Sequence, residues 1–180
     1  MDELGLRTLR DEILADCRVA EAAWNVAMQR FSEDHPSAIE GCAHHLARLY
    51  NVIQQMALRV AKAFESRIDD DAGWHAELIE RLSLEIEGVR PALFPADLRQ
   101  PLRELRGFRH VFTHAYELEL DRDKVRLLLK YARQVAPRLN RLCRNFIRQV
   151  AEREGLTDVL QKRAKGKSKE QRAKSRGQGM

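Results

Sequence analysis

The chain has 180 residues, of which 44% are apolar and a third are charged. That profile belongs to one globular domain with a real core and excludes a fibrous or wholly disordered chain. No apolar run reaches the length needed to span a bilayer. The net charge of +5 is unevenly placed: the last twenty residues, QKRAKGKSKEQRAKSRGQGM, hold eight Lys and Arg against one Glu, and the remainder holds 24 against 26.

The N-terminal stretch MDELGLRTLRDEI is charged and amphipathic, without the continuous apolar segment or cleavage site of a signal peptide, so a cytoplasmic location is expected. Leu6, Leu9, Ile13, Cys17, Ala20, Trp24, Met28 and Phe31 then recur three or four apart, which predicts a first helix with one apolar stripe. Asp34-His35-Pro36-Ser37 breaks it, since proline disfavours helix at the preceding residue. A second stripe runs through Ile39, Cys42, Leu46, Leu49, Ile53, Met56, Val60 and Ala63. It predicts a long helix ending near Ile68, where Asp69-Asp70-Asp71 and Gly73 follow. A shorter helix is expected from Trp74 to Ile86 with Gly88 as its stop, then the loop VRPALFP. Ala96-Asp97 opens a helix that runs to about Tyr116. Asp121 is the expected N-cap of a last helix striped by Val125, Leu128, Ala132, Val135, Leu139, Leu142, Phe146 and Val150, with a kink at Pro137.

No stretch alternates as a strand. Long helices joined by short loops predict an all-α fold, an antiparallel bundle of about five helices over residues 1–153. Residues 154–180 form a basic tail, expected to be disordered because it carries almost no apolar residues from Lys162 onward. The tail is either a solubilising segment or an electrostatic handle for RNA or an acidic partner.

Cys17, Cys42 and Cys143 are odd in number, widely spaced and without a C-x-x-C, which predicts reduced, buried thiols. No phosphate-binding glycine loop, H-E-x-x-H or G-x-S-x-G occurs. His44 and His45 are adjacent and so diverge on a helix, while His35 and His75 have no evident partners. Neither a metal nor another cofactor is expected.

The stretch RGFRHVFTHAYELELD, residues 106–121, concentrates Arg109, His110, His114 and Tyr116. These are either helix-end surface residues, where basic side chains suit the dipole, or parts of a phosphate site. An imidazole titrates near neutrality and suits the removal of a 2′-hydroxyl proton. A guanidinium fork matches two phosphate oxygens and holds the charge that develops on them. On an ideal helix Arg109 and His114 diverge by about 140°, whereas His110 and His114 share a face, as do Arg109 and Thr113. Two copies of the helix bordering one cleft would resolve that divergence.

The run Arg109-His110-Val111-Phe112-Thr113-His114-Ala115-Tyr116 resembles the R-x4-H-x-Y pattern of HepT-like toxins, metal-independent ribonucleases of the HEPN superfamily. A polar residue commonly follows the arginine there, and His110 fits. The order of DAGWHAELIERLSLEI, VRPALFP and LRELRGFRHVFTHAYELELD extends the resemblance over most of residues 1–150, but not to the tail. The resemblance implies a helical homodimer whose two copies of Arg109 and His114 line one RNA cleft. His114 would be the general base, Arg109 the stabiliser of the phosphate, and His110 a supporting or RNA-binding residue. The products would be a 2′,3′-cyclic phosphate and a 5′-hydroxyl. The implied partner is a minimal nucleotidyltransferase antitoxin that attaches AMP to Tyr116, adding a bulky negative group that repels RNA. The alternative is a non-catalytic helical module that pairs with such a nucleotidyltransferase.

Overall fold

The computed structural model describes residues 1–35, 37–65, 74–114 and 119–158, with residues 74–76 described by backbone alone. Six α-helices occur in these segments: α1 (Glu3–Ser32), α2 (Ala38–Phe64), α3 (Trp74–Leu82), α4 (Arg99–His114), α5 (Arg122–Val135) and α6 (Leu139–Arg153). Among the described residues there is no strand beyond a single antiparallel bridge between Ile86 and Arg90. The all-α bundle expected from the periodicity is therefore the fold.

The helix directions follow from contacts at their ends. Arg59, late in α2, pairs with Glu12 and Asp16 early in α1 at 3.1 and 3.0 Å. The Arg30 side chain at the end of α1 lies against Gly41 at the start of α2. These two long helices are an antiparallel hairpin. Alanines on both (Ala20, Ala23 and Ala27 on one, Ala43, Ala47, Ala57 and Ala61 on the other) are buried, and side chains this small allow close axial approach. Arg122, at the start of α5, donates to the Phe31 carbonyl at 2.8 Å, while Glu154, just past α6, takes the Met1 amino group at 2.7 Å. So α5 and α6 together run antiparallel to α1 along its full length.

The expected last helix is thus two helices laid end to end. Residues 136–138 form a 3₁₀ turn between them, because Pro137 has no N–H to donate to the preceding turn. Asp121 caps α5 as expected: its Oδ1 accepts from the amides of Asp123 and Lys124 at 2.7 and 3.0 Å. Those amides hold its carboxyl below the usual range. The end of α6 is a left-handed turn. Gly155 has φ +67°, the Leu156 amide reaches back to the Ala151 carbonyl at 2.8 Å, and Leu156 packs on the core.

Three boundaries differ from expectation. The described part of α2 stops at Phe64, short of Ile68, because Glu65 is extended at φ −116°, ψ 114°. The Asp69-Asp70-Asp71 patch and Gly73 lie outside the described residues. The third helix stops at Leu82 instead of Ile86, and Gly88 does not terminate it. Gly88, at φ +72°, turns the chain between Ile86 and Arg90.

The ends of α2 and α3 are both bonded by Arg90, fully buried within what reads as an ordinary loop. Its guanidinium bonds the Glu65 carboxylate at 3.0 Å, the Arg81 carbonyl at 3.1 Å and the Leu84 carbonyl at 2.9 Å. One side chain thus ties carbonyls at and just past the end of α3, that of Arg81 also accepting from the Leu84 amide, to the end of α2. The third difference lies at the start of α4. Residues 96–98 form a 3₁₀ turn before the α-helix, which is described as far as His114.

The core runs the length of the hairpin. Leu6, Ile13, Leu46, Leu49, Ile53 and Met56 are fully buried, with Phe94, Leu102, Leu105 and Phe146 closing on them from the other helices. The three cysteines are buried and unpaired as disulfides. Burial pushes the Cys42 thiol up to about 12. A hydrogen bond with Cys17, with burial, raises Cys143 as well. These thiols are packing groups.

Candidate functional site

Arg109, His110 and His114 occupy the last two turns of α4, which packs between α2 and α5. Helix α4 starts near the end of α2, because the Leu93 and Phe94 amides bond the Leu82 carbonyl beside the Glu65 cluster. It then returns antiparallel along α2, and at mid-length Arg109 Nε donates to Asn51 Oδ1 of α2 at 2.8 Å. Arg109 is half-buried against α2, while His110 and His114 are exposed.

Local hydrogen bonds set the state of His114. Its Nδ1 lies 2.8 Å from the His110 carbonyl oxygen and 2.9 Å from Thr113 Oγ1. A carbonyl can only accept, so Nδ1 carries the proton and Nε2 holds the lone pair of the neutral ring. The Thr113 hydroxyl completes the arrangement by donating to the Arg109 carbonyl at 2.9 Å. The His110 and His114 rings lie 4.6 Å apart at 34°. The structure thus brings the two histidines together, as their spacing predicts. No hydrogen bond joins Arg109 to His114: one leans onto α2 and the other ends the helix, in keeping with their angular divergence. Tyr116 lies outside the described residues.

Carboxylates hold several arginines of α4 and its surroundings. Arg103, earlier on α4, pairs with Glu80 at 2.7 Å, and Arg99 lies 3.8 Å from the same residue. At the start of α4, Asp97 pairs with Arg138 at the joint of α5 and α6. Among the described residues no carboxylate pairs with Arg109, and its hydrogen-bond partner there is the neutral amide of Asn51. Beside it, Tyr50 is 1% exposed and its hydroxyl has no partner among the described residues. Burial pushes that phenol up to about 12, against the opposing pull of Arg106 and Arg109.

Beyond Asn51, towards the end of α4, the exposed positions on the same face of α2 are Arg48 and His44. His45, next to His44, is half-buried with Nδ1 unpartnered. Burial first, then His44, Arg48 and Arg30, hold its pKa down. The predicted divergence of this histidine pair holds, with ring planes at 90°. Among the described residues no group of three His, Cys, Asp or Glu side chains stands close enough to hold a metal ion. No helix there is long and apolar enough to cross a membrane.

Asn51, Tyr50, Arg48 and His44 were not singled out as site residues by spacing around Arg109. Their signal was the presence of polar residues at the edge of a long apolar stripe, which by itself does not say what they face.

An all-α bundle carrying Arg-x4-His at the end of one helix, with the arginine seated on its neighbour, defines the class. A family model described as HepT-like protein matches residues 41–150, more than half of the chain, and the chain belongs to that family. The match contains α2 through most of α6, and so includes Asn51 as well as Arg109, His110 and His114. No curated protein and no solved structure matches the chain.

Proposed function

We propose that this protein is a metal-independent endoribonuclease toxin of a type II toxin–antitoxin system, with Arg109 and His114 as its catalytic residues. The observation that carries the reading is the pairing of an arginine that has no carboxylate partner among the described residues with a histidine whose Nε2 is left as the basic nitrogen, two turns or less apart on one helix. Membership of the HepT-like family supports it.

In this reading Nε2 of His114 removes the proton from a ribose 2′-hydroxyl. The O2′ attacks the adjacent phosphorus, the P–O5′ bond breaks, and the leaving 5′-oxygen takes a proton from a second imidazolium. The products are a 2′,3′-cyclic phosphate and a 5′-hydroxyl, so atoms and charge balance without water or metal. Arg109 holds the non-bridging oxygens and the charge they gain. A homodimer supplies the second imidazole, because one copy of α4 points Arg109 and His114 in different directions. Val111, 49% exposed between the two histidines, supports a covering partner on this face. Exposed Arg48 and His44 extend the cationic surface for single-stranded RNA. His110, stacked on His114, limits its rotation and contacts RNA. A minimal nucleotidyltransferase antitoxin attaches AMP to Tyr116, two residues past His114, and the added negative charge keeps RNA from Arg109.

End-group analysis tests the chemistry. Cleaved oligoribonucleotides are expected to carry 2′,3′-cyclic phosphate and 5′-hydroxyl ends, and full 2′-O-methylation is expected to stop cleavage. Cleavage of the methylated strand, or 5′-phosphate ends, would exclude attack by the 2′-oxygen.

A further inference from the structure

Asn51 sits 58 residues from Arg109 in sequence, yet its Oδ1 accepts the Arg109 Nε–H at 2.8 Å. We infer that Asn51 is a positioning residue for the phosphate site: it fixes the Arg109 guanidinium through Nε by a neutral acceptor and leaves the terminal nitrogens and the full charge for a phosphate. The inference rests on the proposed ribonuclease reading for the identity of the phosphate as RNA.

Two physical points carry it. Arginine has five donors in a rigid fork, and holding Nε leaves the Nη1–Nη2 edge, which matches two phosphate oxygens. The acceptor's charge matters equally. Three other arginines are seated by carboxylates, Arg90 on Glu65, Arg103 on Glu80 and Arg138 on Asp97, while Arg144, exposed on α6, is held through Nε by Asn140 within its own helix. A carboxylate in the place of Asn51 would hold the guanidinium as firmly but neutralise it. An amide holds it and keeps it cationic. Tyr50, next to Asn51 in sequence, is buried, so the segment of α2 that carries the acceptor is anchored in the core.

This separates a positioning role from a structural one. If Asn51 merely joins α2 to α4, then Asn51→Asp keeps the joint and nothing else changes. If it presents a cationic fork, Asn51→Asp retains stability and loses phosphate.

The experiment measures binding of a 2′-O-methyl oligoribonucleotide at low salt to the full chain, alongside thermal melting. The variants are Asn51→Ala, Asn51→Asp, Arg109→Ala and the double variant Asn51→Ala/Arg109→Ala. Asn51→Ala is expected to weaken binding roughly five- to tenfold, the scale of one misplaced charged hydrogen bond. The same change is expected to have no effect once Arg109 is alanine. Asn51→Asp is expected to weaken binding at least as much while melting no lower than wild type.

Wild-type binding by Asn51→Asp would overturn the inference. So would an equal loss from Asn51→Ala in the Arg109→Ala background, or an absence of RNA binding by the wild type. Coupled binding from a wild type that cleaves no unmodified RNA would uphold the Asn51 role and remove the ribonuclease reading alone. Should Asn51→Ala melt lower than wild type, Asn51→Leu, close in shape and without an acceptor, repeats the comparison.

Discussion

Arg109 and His114 leave α4 in directions about 140° apart, and each is fixed by a different neighbour. Asn51 holds the first from across a helix interface, and the His110 carbonyl holds the second within its own helix. Local bonds of the latter kind are legible in sequence because they follow spacing. The stacking of His110 on His114 follows from their four-residue interval. The Asn51 contact does not, since a polar residue at the edge of an apolar stripe carries no record of what packs over it. Tyr50 shows the same blindness: its place beside Leu49 of the second stripe does not tell that its hydroxyl is buried with no partner among the described residues. A desolvated, unpaired hydroxyl contributes nothing to stability and costs its lost hydration. Tyr50→Phe is therefore expected to leave the melting temperature unchanged or raise it. A loss of about 1 kcal/mol or more in denaturant unfolding would show that the hydroxyl is satisfied in solution.

Among elements, the α1–α2 hairpin and the α5–α6 pair were readable because their stripes are long, and the break at Pro137 has a backbone cause that any context shares. The stretch 83–95 was not readable. Its prolines and Gly88 indicate a loop, which it is, but a loop ordinarily lies on the surface. Here Arg90 is 0% exposed and links Glu65, Arg81 and Leu84. The acceptors are set by tertiary packing, with Glu65 lying 25 residues away, so apolar periodicity carries no sign of the contact. Arg90→Met is expected to destabilise the protein by about 1–3 kcal/mol, because it removes one of the two arginines on the Glu65 carboxylate, which stays paired with Arg81, and takes the donor from the Leu84 carbonyl. Urea unfolding checks this. A change well under about 1 kcal/mol would mean that Arg81 and water make good the loss.

At the scale of the whole molecule, the bundle runs antiparallel to bring the end of α4 beside the exposed face of α2. That placement assembles His44, Arg48, Arg109, His110 and His114 from two helices on a body whose charge is otherwise close to balanced. The basic excess of the sequence lies in its last twenty residues, whereas the candidate site centres on an arginine that pairs with no carboxylate among the described residues. Net charge therefore did not point to this stretch of α4; the Arg-x4-His spacing did, and the family match contains it. In the proposed reading, a cleft completed by a second copy of α4 would bring together the two groups that one copy aims apart. The most direct test is cleavage of total RNA in excess chelator by the purified wild type beside Arg109→Ala and His114→Ala, each confirmed folded by its melting curve. The account predicts cleavage by the wild type and a loss of at least a hundredfold in either variant, the scale expected for a general base or a transition-state cation. Equal cleavage by all three, or cleavage that the chelator abolishes, would contradict it.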